Sequence, residues 1–128
     1  MSASLALQRM LVTALSGVGG VSGIYDGPPV DAAPPYLVIG PDLMTDWSTK
    51  TEIGHEHRLS VTAWDAGPGT TAAKSIMGAV ETAVTAMAGS RDGHRVVSAK
   101  LLRGFVLTDA EGWTQAVTEF RLRTSANI

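Results

Sequence analysis

The sequence predicts an α+β domain, in which two helices pack on one face of an antiparallel β-sheet in the element order α-β-β-α-β-β. Two segments repeat apolar residues at helical spacing, while others alternate apolar and polar residues or are rich in β-branched ones. The chain has 128 residues, a length that fits a single domain spanning 1–128.

The first helix is predicted over residues 3–16, because its apolar residues recur at i, i+3, i+4, i+7 and i+8. The residues of this stripe are Leu7, Met10, Leu11, Ala14 and Leu15. Glycines between 17 and 23 end the helix. Four prolines follow in the segment 24–35, which is predicted to be an arm without regular structure because proline lacks a backbone donor.

Two strands joined by a hairpin are predicted next. The first begins at Tyr36, is interrupted by a bulge at Pro41, and resumes over 43–47. Residues 48–54 form the hairpin loop, and the clean alternation over 55–65 indicates the second strand. The core-facing side of the second strand is predicted to comprise His57, Leu59, Val61 and Ala63.

A second helix is predicted from an N-cap at Thr70 or Thr71 to about Ala88, where Gly89 stops it. Its apolar stripe comprises Ala73, Ile76, Met77, Val80, Val84 and Met87. A polar turn over 90–93 follows the helix.

The last two strands are predicted over 95–107 and 113–124, joined by a turn at 109–112. The core-facing residues of the final strand are Ala116, Thr118, Phe120 and Leu122. Its other face carries Glu119, Arg121 and Arg123. With Arg58 and Glu56 on a neighbouring strand, these charges favour cross-strand ion pairs, with a basic stripe as the alternative.

Composition excludes several classes of protein. Hydrophobic residues make up 45% of the chain and the net charge is −2, which argues against a disordered tail and a bulk-basic nucleic-acid binder. The chain has no cysteine, so disulfides and thiol catalysis are excluded. The apolar-rich stretch from Leu5 to Val21 lacks a basic n-region, and no window is long enough for a membrane span, so no membrane partner is expected.

The chain carries no recognisable catalytic motif. The patterns of a phosphate-binding loop and of a dinucleotide-binding loop are incomplete, and the Gly-x-Ser-x-Gly motif of a nucleophile elbow is absent. His55 and His57 would share a strand face, and with Glu52 they could bind zinc, so a small metal- or ligand-binding enzyme is one alternative. The favoured interpretation of His57 is a strand-end histidine with a backbone partner. We therefore expect no catalytic residue, no cofactor and no metal.

The tryptophans are the candidate contact residues. Trp64 falls on the polar side of its strand, so it is either covered by a loop or part of an interface, where tryptophan is enriched. Trp47 and Trp113 lie near predicted strand ends. A small satellite core is the alternative interpretation for all three residues.

Four segments of the chain resemble the small tail-completion proteins of long-tailed bacteriophages and gene transfer agents. They are Pro-Pro-Tyr-Leu-Val-Ile-Gly at 34–40, Asp-Trp-Ser-Thr-Lys at 46–50, Glu-His-Arg-Leu-Ser-Val-Thr-Ala-Trp at 56–64, and the segment 109–123. The first helix and the Ile-Tyr-Asp that follows at 24–26 also fit.

This resemblance implies a tail terminator without catalytic residues. Such proteins form a ring, usually hexameric, on the head-proximal end of the tail tube, stop tube polymerisation and bind the head connector. DNA passes through the lumen without sequence-specific binding. The implied location is the virion tail or neck, after assembly in the bacterial cytoplasm. A head-completion or stopper ring protein of the same neck is the alternative.

The predicted contact regions are the hairpin at 46–56 and the proline-rich arm at 26–35, because exposed loops beside sheet edges can insert into a neighbour. The predicted subunit or partner interface comprises Trp47, Lys50, Thr51, Glu52, Arg58 and Trp64. The alternative is an ordinary mobile hairpin tip.

Overall fold

The computed structural model describes residues 2–126, so both ends of the predicted 1–128 domain lie outside the described residues. The elements are α1 Ala3–Leu15, β1 Ile24–Tyr25, β2 Tyr36–Asp46, β3 Gly54–Asp65, α2 Thr71–Thr85, β4 Ser90–Arg91, β5 His94–Thr108 and β6 Thr114–Ala126. One six-stranded sheet has the order β1-β2-β3-β6-β5-β4. The predicted α+β class is confirmed, and the two helices and four long strands lie where they were predicted, although α2 ends at Thr85 and not at about Ala88.

The prediction of a purely antiparallel sheet is wrong at one edge. Strand β1 pairs in parallel with β2, with Ile24 opposite Leu37, so the sheet is mixed. The arm predicted to lack regular structure therefore contains a strand at its beginning. Its prolines start only at Pro28, which leaves the backbone of Ile24 and Tyr25 free to pair.

A second short strand, β4, occupies the predicted polar turn at 90–93. Arg91 pairs with His94 across a two-residue turn. Both turn residues have positive φ, 52° at Asp92 and 81° at Gly93. Asp-Gly is the usual sequence of such a type I′ turn, so the signal for this hairpin was present in the sequence.

The core lies between the sheet and both helices. Each alternation predicted to face inward is confirmed, including His57 at 2% exposure and Phe120 at 0%. The helices contribute Leu7, Leu11, Leu15, Ala73, Ile76, Val80 and Val84 to the same cluster. Thr70 occupies the N-cap of α2, but its side chain makes no capping hydrogen bond.

The predicted bulge at Pro41 changes which side chains β2 presents. Before it, Ile39 pairs with Val61 on the helix-covered face; after it, Asp42 pairs with Leu59. The alternation therefore resumes one position later, and Leu43 lies on the face opposite the helices. We call that face, which no helix of the described chain covers, the open face.

Candidate protein interface

The tip of the β2–β3 hairpin is held by its own hydrogen bonds. The Trp47 N–H donates to the Gly54 carbonyl at 2.9 Å, and the Thr49 N–H donates to the Glu52 carbonyl at 2.8 Å. The Glu52 N–H donates to the Thr49 hydroxyl at 3.1 Å, and the Gly54 N–H donates to the Ser48 hydroxyl at 3.1 Å. These bonds give the tip a defined conformation on which contact residues can be presented.

Trp47 is 36% exposed and lies against a charge pair on the open face. The Arg123 guanidinium carbon is 5.0 Å from the centre of the indole ring, a cation–π contact. Arg123 Nε also lies 3.0 Å from Glu56 Oε1, which is one of the predicted cross-strand ion pairs. The indole is thereby fixed in position while part of its surface stays accessible.

Three further residues of the predicted interface lie on the tip of the same hairpin. Lys50, Thr51 and Glu52 are all exposed. Glu52 Oε1 lies 3.1 Å from Arg95 Nη2, which connects the tip to the start of β5. Both side chains are about half exposed, so this pair contributes little to stability and can exchange partners.

Arg58 lies on the open face within a row of three cations. It stands opposite Arg121, which in turn stands opposite Lys100. Arg58 Nε is 4.0 Å from Glu56, and Arg121 Nε is buried with no hydrogen-bond partner within residues 2–126. Like charges placed across a sheet repel, so this row is a candidate surface for an acidic partner.

Trp64 lies at the far end of β3, roughly 30 Å from the hairpin at the usual rise of a strand. Its ring packs edge-to-face on Trp113 at 6.0 Å, and Trp113 packs on Tyr36 at 6.3 Å. These rings form the satellite core that was the alternative interpretation for Trp64 and Trp113. The structure does not bring Trp64 together with the hairpin, and its place in an interface stays a prediction.

An exposed apolar group beside Trp47 was missed by sequence reasoning. Leu43 is 61% exposed, Met44 44% and Ile53 55%. The bulge at Pro41 shifts the alternation of β2, so its sequence pattern does not show which side chains are exposed. Leu43 lies on the same face as Trp47, whereas Met44, which pairs with His57, projects from the other face of the hairpin. We call Leu43, Met44, Trp47 and Ile53 together the hairpin patch; exposed apolar side chains of this kind mark protein contacts.

His57, one of the two histidines considered as zinc ligands, makes a structural contact. His57 is buried, and its Nε2 lies 2.9 Å from the Thr124 hydroxyl, so the predicted backbone partner is wrong and the partner is a side chain. The pKa of His57 is lowered to about 4, chiefly by burial and also by the nearby His55 and His94, while Asp42 opposes the change. Within residues 2–126, no cluster of three or more His, Asp or Glu is placed to hold a metal.

Replacing Gly54 by alanine is expected to distort the hairpin. A Cβ there would lie 2.6 Å from the Trp47 carbonyl oxygen and 3.2 Å from the Thr124 carbonyl oxygen, both of which are backbone. Such overpacking costs about 1–3 kcal/mol of unfolding free energy, measurable by urea denaturation. Gly17→Ala is the control, because nothing lies within 4 Å of its added Cβ. Equal losses in both variants would contradict this account.

No helix within residues 2–126 has the length and apolarity needed to cross a bilayer. The groups gathered at the hairpin are an ordered tip, exposed apolar side chains and exchangeable ion pairs. Such groups characterise a protein that acts through contacts with other proteins.

The family model described as tail completion protein gp17 matches residues 6–125. The chain therefore belongs to the tail completion family, as its resemblance predicted. It is a structural protein of a phage or gene-transfer-agent tail, located in the tail or neck of the virion.

A solved structure described as the virion of a native gene transfer agent particle contains a similar chain. The two are 26% identical, with a TM-score of 0.75, and the match covers 98% of this chain and 96% of that one. No curated protein matches the sequence.

Proposed function

We propose that this chain is a tail terminator that performs no reaction. Copies form a ring, a hexamer by the family resemblance, on the head-proximal end of the tail tube. The ring stops tube polymerisation and binds the head connector, while DNA passes through its lumen without sequence-specific contacts. The observation that carries this proposal is the family match over residues 6–125.

The two ends of the sheet differ in a way that suits this role. One end carries the hairpin patch, with Lys50 and Glu52 at its tip. The other end carries the half-buried ring of Trp113 beside the exposed acids Asp109 and Glu111. A terminator needs one surface that binds the tube and a different surface that rejects a further tube ring, and two chemically distinct ends provide this.

The hairpin patch is proposed to contact the tube protein. Its apolar side chains are exposed in the isolated chain, and their burial would favour association by about 25 cal/mol per Å². The hydrogen bonds within the tip mean that little conformational entropy is lost on binding. Ser48, whose hydroxyl donates to Asp46 at 2.6 Å, fixes the point where the chain leaves β2.

The double variant Trp47→Ala, Lys50→Glu is expected to fail in tube termination. It removes the largest ring of the patch and reverses the charge at its tip. Tails produced with this variant should be longer than normal and detached from heads, as measured by electron microscopy of tail lengths. Lys74→Glu is the control, because Lys74 is exposed on α2, away from the hairpin. Tails of normal length with the double variant would contradict the proposed function.

A further inference from the structure

The edge of the sheet formed by β1 and β2 is acidic. Residues 10–49 contain four aspartates and neither Lys, Arg nor Glu. All four, namely Asp26, Asp31, Asp42 and Asp46, are exposed. Within residues 2–126 none of them makes an ion pair. Asp26, Asp42 and Asp46 accept hydrogen bonds from neutral side chains, namely Gln8, Ser4 and Ser48. We call these four residues the acidic edge.

The opposite edge, formed by β4 and β5, is basic. Residues 91–108 contain four cations and one acid, Asp92. The cations, all exposed, are Arg91, Arg95, Lys100 and Arg103. Lys100 has no ion pair within residues 2–126, and Arg95 is held only by the exposed pair with Glu52. We call these four residues the basic edge.

The charges on the two edges have the same spacing along the strands. Asp46 and Asp42 pair with His55 and Leu59 of β3, four ladder positions apart. Arg95 and Lys100 pair with Ser125 and Arg121 of β6, also four positions apart, because a bulge in β5 absorbs one residue. Each pair therefore spans about 14 Å.

The charges on the two edges also occupy corresponding positions along the strands of the sheet. Arg95 pairs with Ser125, which in turn pairs with Gly54 of β3. Gly54 is one position from His55, the residue that pairs with Asp46. Lys100 pairs with Arg121, which in turn pairs with Arg58 of β3. Arg58 is one position from Leu59, the residue that pairs with Asp42. The two offsets are equal and in the same direction, so both charge pairs occupy corresponding positions along the strands when two sheets stand side by side. Asp42 and Asp46 lie on the helix-covered face and Arg95 and Lys100 on the open face, so the long cationic side chains must reach around the strand edge to meet the carboxylates.

The two edges are too far apart to satisfy each other within one copy. Three inter-strand spacings, about 14 Å, separate β2 from β5. This exceeds the screening length of about 10 Å at 0.1 M salt. The acidic edge and the basic edge can therefore attract each other only when they belong to different molecules.

We propose that the acidic edge of one copy binds the basic edge of the next, with Asp42 at the ladder position of Lys100 and Asp46 at that of Arg95. The contact joins two different surfaces of the same chain, so it repeats head to tail and closes into a ring when the rotation per copy divides a full turn. This inference rests on the proposed function. It leaves the hairpin patch at the end of the sheet, free to meet the tube.

The test uses charge reversal on purified chains mixed with tail tubes assembled in their absence. Asp42→Lys with Asp46→Lys reverses the acidic edge, and Arg95→Glu with Lys100→Glu reverses the basic edge. Each double variant should need about tenfold more protein to form rings on tube ends, seen by electron microscopy and native mass. The chain with all four changes should recover to near the level of the unaltered chain, because attraction is restored across copies.

A matched control reverses two exposed charges on α2, Lys74→Glu with Glu81→Lys, and should leave ring formation unchanged. Rings from the unaltered chain without recovery in the fourfold variant would overturn the edge contact and leave the proposed function standing. Normal rings in native mass, with loss of tube binding alone, would assign the edges to the tube protein and also overturn it. An unaltered chain that never forms rings on tubes would overturn both proposals.

Discussion

Phe120→Ala is expected to lower the free energy of unfolding by about 4 kcal/mol, the largest loss from any single substitution considered for this chain. Phe120 is fully buried on β6, between Leu59 of β3 and Leu101 of β5. It is one of only two phenylalanines. Removal of its ring leaves a cavity at the centre of the sheet, between Leu59 and Leu101. Urea denaturation measures this loss, provided that the slope of unfolding free energy against urea concentration is unchanged.

Phe105→Ala provides the comparison for this prediction. Phe105 is half-buried on the open face, where the Arg103 guanidinium carbon lies 5.1 Å from its ring centre. The same atoms are removed, but water can occupy the space, so the expected loss is smaller, about 1–2 kcal/mol. Losses of equal size would show that the core is not centred between the helices and the sheet.

The stability of the chain is expected to fall as the pH is lowered from 6.5 to 4, with His57 alone accounting for about 3 kcal/mol. Burial lowers the pKa of His57 from 6.5 to about 4. Between these values the unfolded chain binds a proton that the folded chain does not, so acid favours unfolding. The stabilisation is fully present above pH 6.5 and is lost as the pH approaches 4.

His57→Gln separates this effect from the titration of carboxylates. The glutamine amide can bond the Thr124 hydroxyl in place of the imidazole but cannot take up a proton in this range. The unfolding free energy of the variant, measured from pH 7 to pH 4, should decline by about 3 kcal/mol less than that of the unaltered chain. Parallel curves would mean that His57 is protonated in the folded state.

The sequence predicted those parts of the fold that depend on local pattern. The alternation over 55–65 identified the buried side of β3, and helical spacing identified both helices. Pro41 marked the bulge, because a residue without a backbone donor interrupts the ladder. Strand β1 was missed because two residues carry no periodicity, and its pairing depends on a strand that begins eleven residues after it ends.

The candidate interface was predictable only in part, because it depends on the register between strands. The hairpin was found, and with it the exposed residues at 47 and 50–52. The contact between Trp47 and Arg123 joins distant parts of the chain, and no local pattern reveals it. The row from Arg58 to Lys100 requires three strands in one register. The opposite charges of the two edges likewise became visible only with the strand order.

The separation of charge across the sheet gives each copy an electric dipole directed from one side strand to the other. In an arc of copies joined head to tail, these vectors add, and both ends of the arc remain attractive to further copies. In a closed circle the vectors sum to zero in the plane, and every charged side strand is covered. Under the proposed edge contact, completion of the circle therefore removes the force that recruits another copy, and the rotation between neighbouring copies sets their number.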